Sequence, residues 1–150
     1  MTRMIPALNE HGLLPEGIHD CAFEEVEARF GGYQASERRP QLWGKFTEFF
    51  HQARSSQLVE ELVLDGSFVT ARTDPNDIDL IVIVFATHDF GADLPPYQYN
   101  LLAGRQVRRR FGFDIIIVKN GTDNLAQSVE FFSQVRQRPA LKKGLLRLKL

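Results

Sequence analysis

The sequence predicts an α/β (α+β) protein in which helices are packed on a mixed β-sheet. Short apolar runs at 58–64, 78–85 and 111–118 have strand character, and runs this apolar are typical of strands buried on both faces. Apolar residues with helical spacing lie before and between these runs. At 150 residues the chain has the size of one domain. We therefore expect a single domain, with an N-terminal extension containing one helix (1–40) and a core (41–150).

In the N-terminal region, residues 1–19 are predicted to be loop because proline and glycine interrupt them repeatedly. Asp20 is a suitable N-cap for a first helix over residues 22–30, which Gly31 and Gly32 would end. A second helix, over residues 41–57, is predicted from aromatic and aliphatic residues that recur every three or four positions.

The rest of the chain is predicted to alternate strands with helices. Two strands come first, and the final strand is expected at a sheet edge, protected by Arg147 and Lys149. In the last helix the predicted apolar positions include Phe131 and Phe132. The predicted order is strand 58–64, strand 78–85, helix 97–110, strand 111–118, helix 122–137 and strand 145–150.

Composition excludes several classes of protein. The formal net charge of −1 gives no overall attraction to nucleic acid or to an anionic membrane. The single cysteine, Cys21, excludes an intramolecular disulfide and a cysteine zinc cluster. The longest apolar run, 80–86, is far shorter than the ~20 residues that span a bilayer. We expect a cytoplasmic protein without membrane insertion.

Two aspartates open the second apolar run. In a strand, Asp77 and Asp79 would point to the same face, and their mutual repulsion would favour binding of a cation. Asp-x-Asp alone is common, however, and 74–77 also suits a simple turn. Asp114 stands at the start of the next strand, and a carboxylate there is costly unless it is paired or binds metal. If the strands are neighbours, three carboxylates converge, which suits Mg²⁺ or Mn²⁺.

The preceding strand, 58–64, is followed by Gly66-Ser67. Glycine allows close approach of a phosphate to the backbone, and the serine N–H and hydroxyl would bind the anion. Residues 68–76 leave room for only one turn of helix. Arg72 lies in this loop, where it would either contact a phosphate or remain solvated.

The run Gly66-Ser67, nine residues, then Asp77-Ile78-Asp79-Leu80 resembles the signature of the DNA polymerase β-like nucleotidyltransferase superfamily. Residues 14–19, 64–70, 75–79 and the tail 131–148 are similar to small stand-alone bacterial nucleotidyltransferase-like proteins. This resemblance implies a minimal nucleotidyltransferase fold with Mg²⁺ or Mn²⁺ as cofactor and a nucleoside triphosphate as substrate. It implies that Asp77 and Asp79 bind metal with the triphosphate.

By the same resemblance, Asp114 would bind the catalytic metal and help to activate the acceptor hydroxyl. Gly66 and Ser67 would contact the phosphates, and the acceptor would be a protein, an RNA or an oligonucleotide. The resemblance also implies a toxin–antitoxin or phage-defence setting with a cognate partner protein. The alternative is a nucleotidyltransferase-fold binding module with weak or no catalysis, acting as an antitoxin or a regulatory partner.

Beyond Glu130 the chain has basic but no acidic residues. This end is a candidate contact for RNA, DNA or an acidic protein surface, although protection of an edge strand explains Arg147 and Lys149 equally well. Tyr97 and Tyr99 would either pack or stack on a base. The run 108–110 is either a solvated helix end or a nucleic-acid contact.

Overall fold

A five-stranded mixed sheet forms the centre of the protein, in a computed structural model that describes residues 5–32 and 34–150. The strand order is β1-β5-β2-β3-β4. β2 pairs antiparallel with both β3 and β5, whereas β3 pairs parallel with β4 and β1 pairs parallel with β5. The predicted mixed sheet is therefore confirmed. The strands are β1 (Gly17–Asp20), β2 (Val59–Asp65), β3 (Asp79–Val84), β4 (Asp114–Lys119) and β5 (Gly144–Lys149).

Helices cover both faces of this sheet. Alternate residues of β2 and β3 divide between two apolar cores: Leu62 and Leu80 join the larger core with α2, and Val63 and Ile81 join the smaller core with α5. This division follows from the two-residue period of a strand. The helices are α1 (Phe23–Val26), which continues as a π-helical turn (Glu27–Gly31), α2 (Arg38–Ser56), α3 (Pro96–Leu101), α4 (Gly104–Phe111) and α5 (Asp123–Ser133).

The predicted loop 1–19 is wrong for its last residues, because Gly17–Asp20 forms β1. Asp20 does not cap the first helix. Its carboxylate accepts hydrogen bonds from Arg147 on β5 at 2.6 and 3.0 Å, and the N-cap is Ala22. This ion pair joins two parallel strands that are far apart in sequence, which local signals do not report. Residues 1–4 of the predicted loop lie outside the described residues.

Three further predictions need correction. β5 is not an edge strand, since it lies between β1 and β2, so edge protection does not explain Arg147 and Lys149. The predicted helix 97–110 is two helices, broken at Leu102 and Ala103, which leave helical backbone geometry. The predicted helix 122–137 ends at Ser133, and the next residue, Gln134, forms an isolated β-bridge with Lys142.

Within residues 5–32 and 34–150, no helix is both long and apolar enough to cross a membrane.

Candidate active site

Three aspartates form a row across three neighbouring strands. Asp65 ends β2, Asp79 begins β3 and Asp114 begins β4, and the strand register pairs Asp65 with Asp79 and Asp79 with Asp114. Because side chains alternate along a strand, all three share the face that α5 covers. Neighbouring strands lie only about 4.8 Å apart, so the sheet brings three carboxylates together at one end.

Asp77 precedes β3 and is held in place by Ser67. The Ser67 N–H and hydroxyl both donate to Asp77 Oδ1, at 2.9 and 2.7 Å. The same hydroxyl accepts from the N–H of Asn76 at 2.8 Å. The donors that the sequence suggested for a phosphate therefore orient the first aspartate of the Asp-x-Asp pair.

Gly66 makes this arrangement possible. Its φ is +97°, and a Cβ at this position would lie 2.9 Å from the carbonyl oxygen of Asp77. Only glycine combines a positive φ with such close approach. After it, Ser67–Val69 forms a single 3₁₀ turn, in agreement with the one turn of helix predicted for this loop.

Arg39 fixes the loop that follows. Its side chain is 1% exposed, and its guanidinium donates to the carbonyl oxygens of Phe68, Thr70 and Arg72 at 2.6–2.7 Å. A fourth bond, of 3.3 Å, reaches the carbonyl of Phe30. The rings of Phe30 and Phe68 lie 5.7 and 5.5 Å from the guanidinium. Residues 68–72 therefore adopt one conformation beside the carboxylates.

Two cations hold the outer members of the row. Lys143 Nζ lies 2.9 Å from Asp65 Oδ1, and both side chains are largely buried. At the other end, Arg108 donates to Asp114, and this pair is exposed. No such ion pair is found for Asp79 among the described residues, although the charge of Lys143 acts on it at longer range.

Electrostatics single out the central carboxylate. Burial, together with the charges of Asp77, Asp65 and Asp114, raises the pKa of Asp79 to about 6. Burial also raises the pKa of Asp65, against the opposing effect of Lys143. A raised carboxylate pKa is common at functional sites, and here burial and the neighbouring carboxylates together outweigh the opposing charge of Lys143.

Two clefts open beside the carboxylates, and Asp77, Asp79, Arg136 and Lys143 line both. The cleft on the side of Ser67, called here the Ser67 cleft, has a volume of about 600 Å³. The cleft beneath the C-terminal end of α5, called here the α5 cleft, has a volume of about 760 Å³ and includes Phe131, Gln134 and Lys142. The segment around Arg136 borders both of them.

The predicted site residues are found in one region. Asp77, Asp79, Gly66, Ser67 and Arg72 line the Ser67 cleft. Asp114 adjoins Asp79 through the strand register. In residues 5–32 and 34–150, however, no group of three or more histidine, cysteine or acidic side chains is close enough to hold a metal ion as it stands. The metal-binding roles of Asp77, Asp79 and Asp114, and the phosphate-binding roles of Gly66, Ser67 and Arg72, stay predictions.

Sequence reasoning missed three residues of this site. Asp65 directly precedes Gly66, and a carboxylate ending an apolar strand was a signal of the kind that identified Asp114. Lys143 lies 78 positions from its partner Asp65, and only the pairing of β2 with β5 brings the two regions together. Arg39 lies in the first turn of α2, in a charged segment that sequence places before the predicted helix 41–57 and where a solvated arginine is the ordinary expectation.

The chain belongs to the family of unknown function DUF6932, whose model matches residues 6–149. No curated protein and no solved structure matches it.

Proposed function

We propose that this protein is a nucleotidyltransferase that transfers a nucleoside monophosphate from a nucleoside triphosphate to a hydroxyl acceptor. The observation that carries the proposal is the arrangement of three carboxylates beside the Gly66-Ser67 turn. Ser67 holds Asp77, Asp79 follows two residues later, and Asp114 is in register with Asp79 on the neighbouring strand. These are the parts on which the superfamily resemblance rests, and the fold brings them together from three segments of the chain.

In the proposed reaction the acceptor oxygen forms a bond to the α-phosphorus as the bond to the bridging oxygen breaks. Pyrophosphate leaves, and the acceptor proton passes to a carboxylate and then to water. Asp114 is the proposed proton acceptor, because its exposed position allows Arg108 to move away from it. Arg72 and Arg136, both exposed on the Ser67 cleft, would bind the triphosphate oxygens.

The carboxylate oxygens of this cluster are suitable ligands for Mg²⁺ or Mn²⁺. The raised pKa of Asp79 indicates that additional positive charge would be favourable there. Asp77 and Asp79 would hold such an ion, with Asp114 joining them after Arg108 moves. The bound ion would neutralise phosphate charge and favour the ionised form of the acceptor hydroxyl.

We propose a cytoplasmic location and a toxin–antitoxin or phage-defence setting, in which the acceptor is an RNA, an oligonucleotide or a partner protein. Support for the setting comes only from the family resemblance. Basic residues that line the α5 cleft beside the carboxylates, including Arg136 and Lys142, favour an acidic acceptor.

A second candidate is a binding module with little catalysis. The observation that favours it is the ion pair between Arg108 and Asp114, which occupies the third carboxylate. In this case the protein would act as an antitoxin or regulatory partner and would need neither Asp77 nor Asp79 for its complex.

The test is transfer of label from each α-³²P-labelled nucleoside triphosphate, with Mg²⁺ or Mn²⁺, to total RNA or to a co-purifying protein. We expect transfer by the wild type, loss of at least 100-fold in Asp77→Asn and Asp79→Asn, and no loss in the exposed loop variant Asp93→Asn. Absence of transfer with every triphosphate, together with an intact partner complex in both active-site variants, would favour the binding module.

A further inference from the structure

The α5 cleft contains an aromatic side chain in an unusual position for its type. Phe131 is 65% exposed, the highest value for a large hydrophobic side chain in the described part of the chain. The sequence pattern predicts an apolar packing position on α5, and its neighbour Phe132 does occupy the core at 8% exposure. Phe131 instead borders the cleft that contains Asp77 and Asp79.

The ring of Phe131 is supported rather than loose. It lies on a helix whose adjacent residue is anchored in the smaller core, and the two ring centroids are 6.1 Å apart. The anchored helix therefore fixes the backbone position from which Phe131 projects beside the carboxylates. A planar ligand group would meet this surface without reordering the chain.

The remaining side chains of the cleft suit a nucleotide. Lys142 and Lys143 come from the segment that leads into β5, and Arg136 comes from the segment that follows α5. Gln134 and Gln137 offer amide groups that both donate and accept hydrogen bonds. An aromatic face beside basic and amide groups is the combination by which proteins bind a base and its phosphate.

We propose that the α5 cleft is a nucleobase subsite in which the base stacks on Phe131 while its phosphate lies toward Lys143 and Arg136. This proposal rests on the proposed function, because it assumes a nucleotide at the carboxylates. The Ser67 cleft takes the triphosphate, and the base belongs either to the donor nucleotide or to the terminal nucleotide of an RNA acceptor.

The test uses probes with and without a base. Binding of inorganic tripolyphosphate, of the α,β-methylene analogues of ATP, GTP, CTP and UTP, and of fluorescein-labelled hexa-adenylate and hexa-uridylate is measured with Mg²⁺. Phe131→Leu is expected to weaken at least one base-bearing probe about 5- to 100-fold, the range for loss of one stacked base. Tripolyphosphate binding should stay within twofold, and Phe131→Trp should retain the affinity of the base-bearing probe.

Phe90→Leu is the matched control, because Phe90 is also exposed, at 57%, but lies outside both clefts. A thermal melt of Phe131→Leu should match the wild type, since the ring is outside the core. Weakening of the methylene analogues assigns the subsite to the donor base, and weakening of the oligonucleotides assigns it to the acceptor.

The proposal is overturned if no base-bearing probe binds the wild type, or if Phe131→Leu leaves every one of them unchanged. It is also overturned if Phe131→Leu weakens the binding of tripolyphosphate by the same factor as that of the base-bearing probes. The label-transfer assay separates the two hypotheses. If Phe131→Leu selectively loses base binding but the wild type transfers no label, the subsite is retained and the enzyme proposal is rejected. If the wild type transfers label but Phe131→Leu binds every base-bearing probe unchanged, the enzyme proposal is retained and the subsite is rejected.

Discussion

Replacement of Arg39 by methionine is predicted to destabilise the protein more than any other single change at an arginine near the site. Its buried guanidinium donates four hydrogen bonds to backbone carbonyls. Methionine has a similar length but no donor, so the change leaves these carbonyl oxygens to find water or remain unpaired. Leaving a buried hydrogen-bonding group without its partner typically costs about 1–3 kcal/mol, and several carbonyls lose their donor here.

Three structural details refine this magnitude. The contacts of the guanidinium with two phenylalanine rings add to its contribution. Two others reduce the cost: the bonds to Thr70 and Arg72 are only partly buried, and the buried Nε has no acceptor among the described residues. We therefore expect a loss of about 3 kcal/mol in the free energy of unfolding. For a domain of this size, that is a fall in Tm of roughly 6–12 °C.

Urea unfolding followed by circular dichroism measures this loss, and a thermal melt checks it. Arg38→Met is the matched control, because Arg38 also donates to loop carbonyls, those of Pro75 and Asn76, but from an exposed position. It should cost under about 1 kcal/mol. If Arg39→Met unfolds within 1 kcal/mol of the wild type, the buried guanidinium does not hold the loop and the reasoning fails.

The remaining predictions concern the carboxylates. Asp79 has a pKa of about 6 in the folded protein against about 3.8 unfolded, so its ionisation opposes folding, and stability falls as the pH rises from about 4 to 6. Asp79→Asn should therefore stabilise the protein at pH 8 by about 1–2 kcal/mol, less than the full pKa shift would give because the group is partly exposed. The stabilisation should vanish near pH 4. An equal stabilisation at pH 4 and pH 8 would contradict this reasoning. Mg²⁺ or Mn²⁺ should raise the Tm of the wild type at pH 8 by mass action and leave that of Asp79→Asn nearly unchanged, which differential scanning fluorimetry measures; equal shifts would place the ion elsewhere. Lys143→Met should destabilise by about 2–4 kcal/mol in urea, because it leaves Asp65 buried without its cation, and a loss under 1 kcal/mol would show that the ion pair contributes little. Arg108→Gln should change stability by under about 1 kcal/mol, as for other exposed pairs, and a larger loss would mean that Asp114 depends on it.

The parts of the site that sequence predicts are those encoded locally. A glycine after an apolar strand and two aspartates at the start of the next are visible as a pattern, because turn and strand geometry repeat over a few residues. Gly66, Asp77 and Asp79 are found together for this reason. The length of the intervening loop also correctly limits it to one helical turn.

The parts that sequence reasoning missed depend on pairing between distant segments. β1 forms only because β5 is available beside it, so 17–20 carries no strong strand signal of its own. The same pairing places Arg147 against Asp20 and makes β5 an interior strand. Burial of Arg39 likewise requires two separate segments, at Phe30 and at 68–72, to present carbonyls to one guanidinium.

The charge balance of the cluster also bears on the proposed function. Asp65, Asp77, Asp79 and Asp114 carry four negative charges when ionised, and Lys143 and Arg108 neutralise two of them. A fold without a ligand to bind would gain stability from an apolar or amide side chain at Asp79, whose ionisation is costly. Residues that lower stability without a compensating structural contact are expected mainly at functional sites. While Arg108 remains on Asp114, the two negative charges left over equal the charge of one divalent cation, which favours a bound cation at Asp77 and Asp79.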